Sequence, residues 1–159
     1  MPNLSPEISG AKEAYGISVI KENKSLIIPP KSFERYNLQN NDVVLLTSTR
    51  EGEHGFVIMN FHKANDTVLR KKIEKISKID VPIFIKSRPY AITDIQNGKI
   101  YFNDEILNAF DLKIGDKFVV IKSTTVTMSF NPIEIFKEKL RSHSFYEAVE
   151  NIDKLEVFE

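Results

Sequence analysis

Apolar and polar positions alternate in GISVI (16–20), and SLII (25–28) and GKIYF (98–102) are rich in β-formers. These stretches predict strands, with turns at KENK (21–24) and IQNGK (95–99). In PPKSFERYNL (29–38) and NDEILNAFDL (103–112) the apolar spacing changes to that of a helix. Phe33 and Tyr36 share one such face, and Ile106, Leu107 and Phe110 share the other. Pro30 suits a first helical turn, where a missing N–H costs nothing. Asn103 is the expected N-cap of the second helix, with Glu105 in its first turn. Short apolar strands follow, VVLLT (43–47) and KFVVI (117–121), after the tight turns QNND (39–42) and KIGD (113–116). TSTREGEHGFVIMN (47–60) reads as a hairpin with its tip at REGEHG.

The two series of elements are the same series. Leu38 and Leu112 lie 74 positions apart, as do Asp42 and Asp116. At that offset Leu26, Ile28, Phe33, Tyr36 and Leu38 meet Ile100, Phe102, Leu107, Phe110 and Leu112. Upstream, YGISVI (15–20) matches YAITDI (90–95) at an offset of 75, the slip that one extra residue in a strand or turn produces. Downstream, residues 55–64 loosely mirror 126–135, and a helix-like stretch follows each. Two copies of about 70 residues are too long and too few for a solenoid, so the pattern implies an internal duplication. The expected organisation is an N-terminal tail (1–14), a first repeat with a trailing basic helix (15–80), a second repeat (81–130) and a C-terminal helical tail (131–159).

The words of this repeat resemble the AbrB/SpoVT swapped-hairpin family, whose wider set is the cradle-loop barrels and whose two-copy members include MraZ-type proteins. NGKIYFNDEILNAFDLKIGDKFVVI (97–121) carries the resemblance best, with a glycine, a basic residue, a strand, a short helix and Gly115–Asp116 before the last strand. The first copy keeps Pro29 and Asp42, but has Lys24 and Ser25 where the family shows Gly and Arg, and Asn41 where Gly is usual. The implied fold is mainly β (α+β): a two-repeat swapped-hairpin or double-psi-like β-barrel with short helices and a helical C-terminal tail. Closure would remove the exposed strand edges of each half. Asp42, Gly115 and Asp116 are expected to be structural turn residues, the carboxylates accepting hydrogen bonds from loop N–H groups.

The function that the resemblance implies is a DNA-binding transcription regulator. Carried over by position, the contacts fall on Lys21 and Lys24 in the first turn and Lys99 in the second, with Lys86 and Arg88 expected close by. Lysine and arginine on phosphates supply most non-specific affinity, and a two-fold array doubles it. Charge gives only local support. Twenty-two basic residues balance 22 acidic ones, so no global field draws the chain to nucleic acid. Residues 63–88 nevertheless carry a net +5, and residues 132–159 a net −3. The alternative is a protein-interaction or substrate-recognition module on the same barrel. Its docking element would be the amphipathic tail with Phe145, Val149, Ile152, Leu155, Val157 and Phe158. Homodimers or higher homo-oligomers fit either reading.

The remaining chemistry argues against an enzyme. There is no cysteine, and His54, His62 and His143 lack the spacing of paired metal ligands, so no metal or cofactor is expected. No phosphate-binding glycine loop or nucleophile elbow occurs. No apolar run approaches a membrane span and the N-terminus lacks a signal-peptide core, so the expected location is the cytoplasm.

Overall fold

The computed structural model describes residues 14–159, so of the expected N-terminal tail all but Ala14 lies outside the described residues. The first half contributes β1 (Ala14–Val19), β2 (Ser25–Ile27), α1 (Pro30–Arg35), β3 (Val43–Ser48), β4 (Phe56–Asn60), α2 (Phe61–Asn65) and α3 (Arg70–Ile73). The second contributes β5 (Ile83–Ile85), β6 (Arg88–Asp94), β7 (Lys99–Tyr101), α4 (Asp104–Ala109), β8 (Lys117–Lys122) and β9 (Thr127–Pro132). The chain ends with α5 (Ile133–Ser142), α6 (Tyr146–Ile152) and β10 (Val157–Phe158). Among the described residues the fold is therefore mainly β with six short helices.

Each half completes itself on the other. β1 pairs antiparallel with β8, and β6 with β3. β2 pairs with β7, and there Leu26 faces Ile100, residues that the 74-position offset equates. β4 pairs with β9, Val57 facing Ser129. Leu26/Ile100 and Val57/Ser129 are thus positions at which the two halves face each other. The helix caps fix the downstream equivalence: Asn60 and Pro132, with nearly identical φ and ψ, each precede a helix. That is an offset of 72, so the alignment of 55–64 with 126–135 is one residue out of step. In a strand such a slip exchanges inward and outward faces. The second hairpin is shorter than the first, which shifts the register.

The turns before β3 and β8 are built alike. Asp42 Oδ2 accepts from the Gln39 N–H at 2.9 Å, and Asp116 Oδ2 from the Lys113 N–H at 2.9 Å. Asn41 (φ 74°) and Gly115 (φ 93°) supply the left-handed residue. Their N–H groups donate to Ile95 O and Ile20 O, each at 2.7 Å. Each turn is thereby tied to the strand end of the opposite half. Asn103 caps α4 by accepting from the Ile106 N–H at 2.8 Å, and Pro30 occupies the first turn of α1.

Among the described residues no sheet closes into a barrel. Eight strands run in the order β10-β1-β8-β9-β4-β3-β6-β5, with β2 and β7 as a separate ribbon. The ribbon's Leu26 and Ile100 lie in one core with Val44, Phe56, Phe118 and Phe130. The end strands are capped instead of joined. β10 lies parallel on β1, so the C-terminal tail ends as a strand rather than wholly as helix, and β5 folds back on β6. The outer face carries two further cores. α5 and α6 cover Ile17, Val119 and Ile121, with Phe145, Val149, Ile152 and Leu155 turned inward. α2 and α3 cover Leu45, Tyr90 and Ile92. The apolar face of the tail helix is thus spent on its own sheet.

Candidate nucleic-acid interface

The β1–β2 turn needs a left-handed residue at Lys24 (φ 66°), where the second half has Gly98 (φ 72°). Each then anchors the ribbon: Phe102 N–H donates to Lys24 O at 2.9 Å, and Ile28 N–H to Gly98 O at 3.0 Å. The Lys24 ammonium does not project freely, because it meets Asp104 Oδ1 at 2.7 Å. Lys21 is exposed in the same turn, beside exposed Glu22.

The second turn offers less. The offsets of 75 and 74 set Lys21 against Gln96, Lys24 against Gly98, and half-buried Lys99 against buried Ser25. At these positions each cation of one half corresponds to a neutral residue in the other. Lys86 and Arg88 are also elsewhere. They belong to the β5–β6 turn, where Lys86 (φ 51°) and Ser87 (φ 70°) form the two-residue connection. β6 separates them from the Lys99 turn by its seven residues, about 20 Å. There the Arg88 guanidinium donates to Ser48 O.

A different set of cations is exposed. The Asn103 side chain donates to Asp80 O at 2.7 Å, which joins the loop after α3 to the start of α4. Asp104, the next residue, holds Lys24. The bridge therefore sets Asp80 beside the Lys24–Asp104 pair, and Lys78, Lys75 and Lys71 precede Asp80 in the chain. Lys71, Lys75 and Lys78 are exposed and enter no ion pair among the described residues. Arg70 is paired with Glu74 at 3.6 Å, and Lys72 lies over the Tyr90 ring at 5.6 Å. Lys72 also donates to the Tyr90 hydroxyl at 3.3 Å, which holds α3 near the Arg88 end of β6, while the loop that follows it reaches the start of α4.

A cavity of about 550 Å³ opens on the outer face, over β4 and β9. It combines Arg50 and Glu53 from the first hairpin with Lys139 and His143 from α5 and its C-terminus. Of its cations, Arg88 alone is an expected DNA contact. The available signal was TMSFNP (127–132), where Thr127, Ser129 and Asn131 alternate with buried apolar residues on a central strand. No known family model matches the chain, and no curated protein does.

Proposed function

We propose that the chain is a DNA-binding regulator of the AbrB/SpoVT type, a duplicated swapped-hairpin unit acting as a dimer within one chain. It contacts phosphates through one band formed by Lys21, Lys71, Lys75 and Lys78, not through a symmetric pair of turns. The observation that supports this reading is the Asn103–Asp80 bridge, which brings the loop after the basic run to the start of α4, next to the Lys24–Asp104 pair of the first turn. Lys21, Lys71, Lys75 and Lys78 are exposed and in no ion pair among the described residues, and such ammonium groups provide the counterion-releasing contacts that duplex DNA requires, while the neutral whole keeps binding weak and sensitive to salt. The Lys24–Asp104 pair orients the turn and adds little net charge.

The test is binding of mixed duplex fragments as salt is raised. With about four phosphates neutralised, log K should fall against log salt with a slope of about −4. Replacing Lys71, Lys75 and Lys78 together by Ala should bring that slope close to −1 and weaken all sequences alike. Absence of binding at low salt removes the reading. The alternative, a protein-interaction module, is favoured by the outer edge of β5, where Phe84 is 59% exposed beside Lys86.

A further inference from the structure

We infer that the cavity over β4 and β9 is a binding site for a small phosphorylated polyol, of the size of a sugar phosphate. α2 and α3 cover β3, β6 and Met59 of β4, α5 and α6 cover β1 and β8, and Val57, Ser129 and Asn131 line the space left between the two layers. What remains between the layers has a polar floor. Ser129 and Asn131 are 6% and 8% exposed, an unusual content for the middle of an eight-stranded sheet. The Asn131 amide donates to Val119 O at 3.3 Å and to Ser129 Oγ at 3.0 Å, which fixes both side chains. With that lone pair occupied, the Ser129 hydroxyl proton is available as a donor. Phe136 and Leu140 of α5 form an apolar wall beside this floor. The volume of about 550 Å³ lies within the range of small-ligand sites.

The rim supplies the charge recognition. The Glu53 carboxylate accepts from the Arg50 N–H at 3.1 Å through one oxygen and meets Lys139 Nζ at 3.0 Å through the other. This strap ties the hairpin tip of the first half to α5 and neutralises Lys139. It leaves the guanidiniums of Arg50 and Arg88 on the rim, neither in an ion pair among the described residues. The bond from Arg88 to Ser48 O holds one of them in place. Two guanidinium forks above a hydroxyl-bearing floor match an oxyanion attached to a hydroxylated body. No bond is made or broken, so the site is one of binding.

The probes are glucose 6-phosphate, inorganic phosphate and glucose, followed by amide chemical shifts and calorimetry. Glucose 6-phosphate should bind with a Kd of about 1 mM or tighter, inorganic phosphate more weakly, and glucose not measurably. Shifts should centre on Ser129, Asn131 and Lys139. R50A/R88A should lose at least about tenfold in affinity, equivalent to about 1.4 kcal/mol. R50K/R88K, which keeps the charge without the fork, should recover part of it. Both arginines are exposed, so the unfolding midpoint serves as a check that the variants fold. No binding of either phosphate, or equal binding by the alanine variant, overturns the inference. DNA binding by R50A/R88A should be unchanged, because neither residue belongs to the proposed band, and this separates failure of one site from failure of the other.

Discussion

Removal of Phe56 should damage both halves at once. The side chain is fully buried and stacks on Phe130 with ring centroids 4.7 Å apart and planes 6° from parallel. It also meets Phe102 and Phe118 edge-on at 5.8 and 5.3 Å. Phe56 comes from the first half and its three partners from the second. Truncating a buried phenylalanine to alanine costs about 3–5 kcal/mol, the transfer of the ring plus the cavity left behind. The upper part of that range applies, because three rings keep the site from collapsing. A value of about 4 kcal/mol corresponds to a fall in Tm of about 8–16 °C in a domain of this size. Urea unfolding of Phe56→Ala, followed by far-ultraviolet circular dichroism and by tyrosine fluorescence, should give one transition in both probes. Phe84→Ala, at an exposed position, should lie within about 0.5 kcal/mol of the parent. If Phe56→Ala is too unstable to purify, Phe56→Leu should show a smaller loss of about 1–2 kcal/mol. A loss under about 1 kcal/mol for the alanine variant, or two transitions with only one shifted, would refute the shared core.

Two further outcomes follow from individual backbone positions. A methyl group at Gly16 (φ 142°) would sit 2.5 Å from the Phe158 ring and 3.0 Å from Glu156 O, so Gly16→Ala should cost about 1–3 kcal/mol. It should also detach β10, seen as faster exchange of the Ile17 amide, which donates to Glu156 O at 2.9 Å; unchanged protection would contradict this. Asp80 is left-handed (φ 65°) and its Oδ1 is buried with no hydrogen-bond partner among the described residues. Asp80→Asn should therefore stabilise by about 1 kcal/mol, and a lowered midpoint in urea would show that the carboxylate has a partner.

Much of this architecture is legible in the chain because the same local rules are written twice. The Asp42 and Asp116 turns, the Asn103 cap and the apolar spacing of α1 and α4 are decided by neighbours in sequence, and each occurs where the pattern places it. The capping strands are not legible. β5 has only three residues, beside a proline, and β10 only two; both exist because β6 and β1 present unpaired edges to them. The pairing of β4 with β9 is set by hairpin length, which differs between the halves, and so the mirrored stretch reads one residue out of step. Lys24 looks like a free cation until Asp104, 80 positions away, is brought against it. The cavity is the least legible feature, since its rim draws on the first hairpin, the β5–β6 turn and α5 together.

Both the proposed DNA contact and the cavity need the two halves to meet in the observed register, and a disulfide across the ribbon tests that most directly. Ser25 and Tyr101 are direct partners between β2 and β7, and the chain has no cysteine of its own. Direct cross-strand partners have Cα atoms about 4.5–5.5 Å apart, within the span of a disulfide. Oxidised Ser25→Cys/Tyr101→Cys protein should form the bond within a single chain, run at the monomer mass in denaturing gels without reductant, and unfold at a higher denaturant concentration than its reduced form. A covalent dimer under the same conditions would mean that the halves exchange between chains, and free thiols after oxidation would mean that β2 and β7 do not pair.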